Sequence, residues 1–192
     1  MFELKAVIGV VTVVLGLVAY APYILDTIKG KTRPHIYTWS VSGLVTFVIF
    51  LLQITGGGGP GTWVTLTVSL LSLLIAALSF KQADWDITIL DTVFLISALI
   101  SLALWLVIEQ PTISMILLVS VGVFGFVPTI RKTWNRPHTE TLSTYVINSL
   151  RHGLSFSALA NYTLLTALFP AAWTMINAAI AVLIVLRRKS NT

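Results

Sequence analysis

The sequence predicts an all-α, polytopic membrane protein with seven transmembrane helices, and three observations predict it. Of 192 residues, 56% are hydrophobic and 10% charged, whereas an ordinary soluble domain carries about 25% charge. Seven apolar stretches, near 5–27, 37–54, 60–80, 87–108, 112–133, 141–162 and 165–186, are long enough, or nearly so, to cross about 30 Å of hydrocarbon as helices. Motifs of the first three stretches recur, in order, in the last three.

The first stretch follows Lys5 and could be read as a cleaved leader. It has no clean small-x-small site before Ala19-Tyr20-Ala21, and its tail recurs later inside a helix, so retention is expected. That tail, Gly16-Leu-Val-Ala-Tyr-Ala-Pro22, precedes Gly122-Val-Phe-Gly-Phe-Val-Pro128 in the fifth stretch by 106 residues. Ahead of the second stretch, Arg33-Pro34-His35 with Thr38 and Ser40 matches Arg136-Pro137-His138 with Thr141 and Ser143 at an offset of 103. Proline there fits a helix start, with the hydroxyls able to satisfy first-turn amides. At the third, Pro60-Gly-Thr-Trp63 matches Pro170-Ala-Ala-Trp173.

The fourth stretch has no counterpart. A three-helix unit crosses an odd number of times, so a directly fused copy would be inverted, and one extra crossing restores the orientation. The expected organisation is a repeat over 1–80, a linker loop and helix over 81–110, and a second repeat with a basic tail over 111–192. The repeats are then parallel, in a 3+1+3 arrangement about an axis along the membrane normal, with a seam between them.

Charge orients the bundle. Lys29, Lys31, Arg33, Lys81, Arg131, Lys132, Arg136, Arg187, Arg188 and Lys189 fall on one side, with Lys5 alone on the other. The positive-inside rule then puts the amino terminus outside and the carboxyl terminus in the cytoplasm. The net charge of +5 is accounted for by a basic rim against anionic membrane lipid, so no nucleic-acid partner is expected. With no cysteine and three scattered histidines, disulfides, haem attachment and recognisable metal motifs are absent, and no metal or cofactor is expected.

The 3+1+3 layout, the small repeat and the proline near the end of the first helix of each copy resemble the SWEET and PQ-loop superfamily of membrane transporters, which includes sugar uniporters and lysosomal amino-acid exporters. The R-P-H-x-x-T at the first loop is closest to bacterial members. The chain departs from the family at Pro22-Tyr23 and Pro128-Thr129, where the name-giving Pro-Gln would stand. It also lacks the proline that sugar-transporting members carry inside the second helix of each repeat. The resemblance implies a transporter working by alternating access between the repeats, multi-pass in a cell membrane, here the bacterial inner membrane.

The strongest chemical signal lies in the sixth stretch. Asn148, Arg151, His152 and Ser155 are spaced i, i+3, i+4, i+7 and form one polar stripe. Arg151 falls roughly 15 Å into the membrane, where facing lipid costs several kcal/mol, so it must face the interior. The matching positions of the second stretch, Val45, Val48 and Ile49, are apolar. Two readings stay open: contact with solute or protons, or a structural pairing, for which Asp91 is the candidate carboxylate. Asn177, with Trp173 and Trp63, would suit a small polar solute with an apolar ring face, the tryptophans serving otherwise as interface anchors. Pro22 and Pro128 each remove a helical donor, making either a hinge or a static kink. Asp26 aligns with Lys132 as a candidate gate pair, and Trp39 and Tyr145 are candidate gate residues one turn inside the cytoplasmic end.

The expected function is transport of a small polar solute, a sugar, amino acid or organic anion, by facilitated diffusion. The alternative is a solute- or peptide-binding receptor of the same fold without net transport. A retinal protein is excluded because no lysine lies inside the last span, and no nucleophile, base and third member come together for an enzyme. One fused chain supplies a complete path, so transport requires no oligomer.

Overall fold

The computed structural model describes residues 2–30, 34, 36–80 and 89–190. Lys31, Arg33, His35 and Lys81 lie outside the described residues, as do the side chains of Asp91, Pro128 and Lys132. The described chain is helical throughout, without a strand. Its α-helices are α1 (Phe2–Ile28), α2 (Ile36–Thr55), α3 (Trp63–Ser79), α4 (Ile89–Leu106), α5 (Pro111–Phe124), α6 (Val127–Asn135), α7 (Leu142–Ser157) and α8 (Leu164–Ser190). Short 3-10 turns, Gly59–Thr62 and Pro137–Thr139, lead into α3 and α7.

Each expected stretch holds a helix among the described residues, but the stretches are unequal. Five spans, Phe2–Ile28, Ile36–Thr55, Gly59–Ser79, Pro111–Asn135 and Leu164–Lys189, are long and apolar enough to cross a membrane. In α4 the apolar part is the shorter Thr92–Leu106. α7 has 16 residues, a length of about 24 Å at 1.5 Å per residue, and it carries the polar stripe.

The two matched prolines behave differently. α1 runs unbroken through Pro22, whereas the fifth span is interrupted at Gly125-Phe126, and α6 restarts just before Pro128. Either proline forfeits its bond to the carbonyl four residues back. Where α1 has Ala19, the fifth span has Gly125, which is less favourable than Ala in a helix by about 1 kcal/mol. There the Phe126 amide turns back to Val123 O at 3.0 Å, closing the break with a tighter turn. Phe94 of α4 fills the space beside Gly125: a β-carbon on that glycine would lie 2.9 Å from the Phe94 ring.

Packing places α3 against both α1 and α2, and α8 against both α5 and α7. α1 also meets α7, α2 meets α5 and α8, and α4 leans on α2 and α5. Lipid gives apolar side chains no reason to leave it, so contacts of this kind depend on small residues and interhelical hydrogen bonds. Gly43 lets α3 approach α2 so closely that a β-carbon there would lie 2.7 Å from Leu73. Ser69 Oγ donates to Gly43 O at 2.8 Å, Ser149 Oγ to Thr174 O at 3.0 Å and Ser114 Oγ to Ser101 O at 2.8 Å, tying α3 to α2, α7 to α8 and α5 to α4. The apolar core joins Val45, Val48 and Leu52 of α2 to Met115 and Leu118 of α5 and Phe169 of α8.

At one end of the bundle the glycine-rich turn after α2 is pinned to the α7–α8 loop. Ala160 N–H donates to Gly58 O at 2.9 Å, Gly61 N–H to Ala158 O at 3.1 Å and Asn161 Nδ2 to Gly57 O at 3.2 Å. Gly57 and Gly59 make this possible with φ of +74° and +60°, a region costly for any residue with a β-carbon. Lys5 Nζ adds a bond to Leu159 O at 2.6 Å and lies 5.5 Å from the Tyr162 ring. At the opposite, basic end Arg188 donates to Pro137 O and Glu140 O, and Arg187 stacks on Trp134.

Candidate functional site

A cavity of about 430 Å³ lies among α1, α2, α3, α5, α7 and α8, with Phe94 of α4 and Thr129 of α6 also on its wall, within the range of small-molecule sites. Of the residues singled out in the sequence, Asn148, Arg151, His152, Asn177, Trp173, Trp39 and Tyr145 line it. Two others of the expected path do not. Ser155 is fully buried and donates to Gly61 O at 2.6 Å, so its hydroxyl fastens α7 to the turn before α3. Trp63 is 37% exposed at the start of α3 and packs on Gly9 of α1.

The two tryptophans of the matched P-x-x-W sequences sit at different depths. Trp63 opens α3, while Trp173 lies nine residues beyond Leu164, the start of α8, about 13 Å along the axis. Across from Gly16 of α1 stands Thr67, and across from Gly122 of α5 stands Trp173. In packing terms the counterpart of Trp173 in the first unit is therefore Thr67, one turn along from Trp63. Asn177 follows a turn deeper, and its Nδ2 is occupied by Trp173 O at 2.8 Å.

Arg151 and His152 stand where the cavity meets the pinned loops. Arg151 is 4% exposed. Its Nη2 donates to His152 Nε2 at 3.4 Å, while Nε and Nη1 have no partner among the described residues, nor does His152 Nδ1. Since a guanidinium can only donate, His152 Nε2 is the acceptor, and in the neutral ring the hydrogen sits on Nδ1. Thr65 Oγ1, also on the wall, is likewise buried without a partner among the described residues. Nη1 points at α1, where a β-carbon on Gly16 would come within 3.7 Å. The pairing of Arg151 with Asp91 falls on a side chain outside those described.

Toward the basic end the walls become aromatic and hydroxylic. On the α1–α2 side, Trp39 Nε1 donates to Tyr23 Oη at 3.2 Å, with Tyr20 edge-on to the indole at 6.1 Å. On the α7 side, Tyr145 Oη donates to Glu140 Oε2 at 2.7 Å. Asp26 is half-buried near the end of α1 and Pro22 is exposed, both away from the cavity. The Lys132 side of the gate pair and the Pro128 ring lie outside the described side chains.

Sequence reading overlooked several lining residues, among them Tyr20, Thr65, Phe94, Phe126 and Phe169. Tyr20 and Phe126 were within reach, since they occupy the same place in the two segments matched at 106 residues. Thr65, Phe94 and Phe169 carry no such signal: alone in apolar helices, they look like core. Comparisons of the chain with protein-family models, with curated proteins and with solved structures find no match.

Proposed function

We propose that the protein is a membrane carrier of the SWEET and PQ-loop type, moving a small polar solute, a sugar, amino acid or organic anion, by facilitated diffusion. The units over 1–80 and 111–192 rock about the cavity, with α4 as linker. The observation that carries this reading is the cavity itself: helices of both units line it, and it holds a buried arginine with two nitrogens that have no partner among the described residues. Its end at the glycine-rich turn is held shut by backbone hydrogen bonds between the units. The similar packing of α3 on α1 and α2 and of α8 on α5 and α7 supports two equivalent units. With the basic end in the cytoplasm of a bacterial inner membrane, the pinned glycine-rich end faces outward.

Counterflow into proteoliposomes tests it. Vesicles preloaded with unlabelled solute are expected to accumulate the same labelled solute, saturably and without dependence on a proton gradient. Saturable binding with no exchange for any compound that binds would instead make the protein a receptor.

A further inference from the structure

The cavity bears one fixed positive charge and no described negative one. Among its described lining side chains Arg151 is the only one ionised regardless of pH near neutrality, and none is an aspartate or glutamate. Arg151 Nε, Arg151 Nη1 and His152 Nδ1 are three buried nitrogens without partners among the described residues, and with the tautomer fixed as above all three are donors. A sugar ring offers and needs donors and acceptors alike, whereas a cluster made only of donors, one of them a planar cation, matches the lone pairs of a planar oxyanion. A buried guanidinium with no counter-ion among the described residues is costly to hold, and an anionic solute would supply that charge.

The wall beside this cluster is flat and apolar. His152 stands edge-on to Phe169 with ring centres 5.5 Å apart, Phe169 lies on Trp173 at 4.4 Å, and Trp173 meets the edge of Phe126 at 5.9 Å. The aromatic run thus starts at the cationic pair and leads along α8 to the α5–α6 break. Aromatic faces favour offset-stacked or edge-on rings. We infer that the site takes an aromatic carboxylate, its carboxylate on Arg151 and His152 and its ring along Phe169 and Trp173. The inference rests on the carrier reading of the same cavity and names the class of its solute.

The test is the melting temperature of the purified full-length protein with benzoate, phenylacetate and indole-3-acetate, each against its primary amide and against cyclohexanecarboxylate. A ligand that prefers the folded state stabilises it by a term growing with its concentration over Kd. The aromatic acids are expected to raise Tm by several degrees in a concentration-dependent way, the amides not at all, and cyclohexanecarboxylate less than benzoate. Arg151→Gln abolishes the shift, and Trp173→Ala reduces it most for the indole acid. Equal shifts from acids and amides, or no shift from any acid, overturn the inference, and the wild-type acid–amide comparison needs no variant to fold. Counterflow with the same compounds separates the two readings: an acid that binds but is not exchanged keeps the anion site and sinks the carrier, while exchange of a neutral sugar with no acid effect does the reverse.

Discussion

Replacing Arg151 by methionine is expected to raise the melting temperature while abolishing transport. The side chain is 4% exposed, and two of its nitrogens are buried without partners among the described residues. Replacing a whole buried ion pair by apolar residues is often stabilising, by about 1–4 kcal/mol, and a gain of that order is expected here because the charge removed has no counter-ion among the described residues. For a chain of this size each kcal/mol is worth about 2–4 °C, so a rise of several degrees follows. His152 Nε2 loses its donor, which offsets part of that gain, since either tautomer of the neutral ring keeps one acceptor nitrogen. Flux should fall by at least about tenfold, the equivalent of one charge-assisted hydrogen bond. Thermal melting in detergent and counterflow on the same preparation give both numbers. A variant that melts several degrees lower would make Arg151 a brace, whatever its flux.

The second large effect is expected at Gly61. A β-carbon there would lie 2.6 Å from Ser155 O and 2.8 Å from Leu159 N, both backbone atoms that cannot swing aside. Gly61→Ala must push the entry of α3 away from the end of α7, straining the Gly61 N–H bond to Ala158 O and the Ser155 Oγ bond to Gly61 O. Overpacking costs about 1–3 kcal/mol and each weakened bond about 1 kcal/mol, so Tm should drop on the order of 10 °C. The loss should be local as well. Faster hydrogen exchange at the Ala160 amide, which donates to Gly58 O, would show the pinned loops parting. An unchanged Tm with full protection at Ala160 would mean that the contact between the units is not what closes this end.

How far the sequence could be read follows from what each kind of signal encodes. Apolar length reveals a helix because the bilayer sets the length: each of the seven stretches holds a helix among the described residues, and five are long and apolar enough to cross a membrane. The break at Gly125-Phe126 was half visible: Pro128 announced a disturbance, but the difference between it and Pro22 depends on Gly125 and on Phe94 arriving from another helix. The spacing of Asn148, Arg151 and His152 put all three on one face of α7, and that face lines the cavity. Ser155 shares the stripe but not the cavity, because spacing gives a face and not the neighbour met there; one turn on, the neighbour is the Gly61 carbonyl. The P-x-x-W match misled in depth for a related reason. Pro60 lies in the turn before α3 and Pro170 six residues inside α8, so one tetrapeptide sits at two levels. Phe169 and Thr65 were illegible, since only the packed neighbours distinguish a wall residue from a core residue.

The central claim is that the site at Arg151 is reached alternately from the two faces. The chain has no cysteine, so a single Asn177→Cys on the cavity wall reports without background. In sealed vesicles of known orientation, a membrane-impermeant maleimide is added to one face or the other. The account predicts labelling from the basic face, slower labelling from the glycine-loop face, and faster labelling from the latter when Gly61→Ala is added. Labelling from the basic face alone, in both backgrounds, would contradict it and leave a pocket with a single mouth.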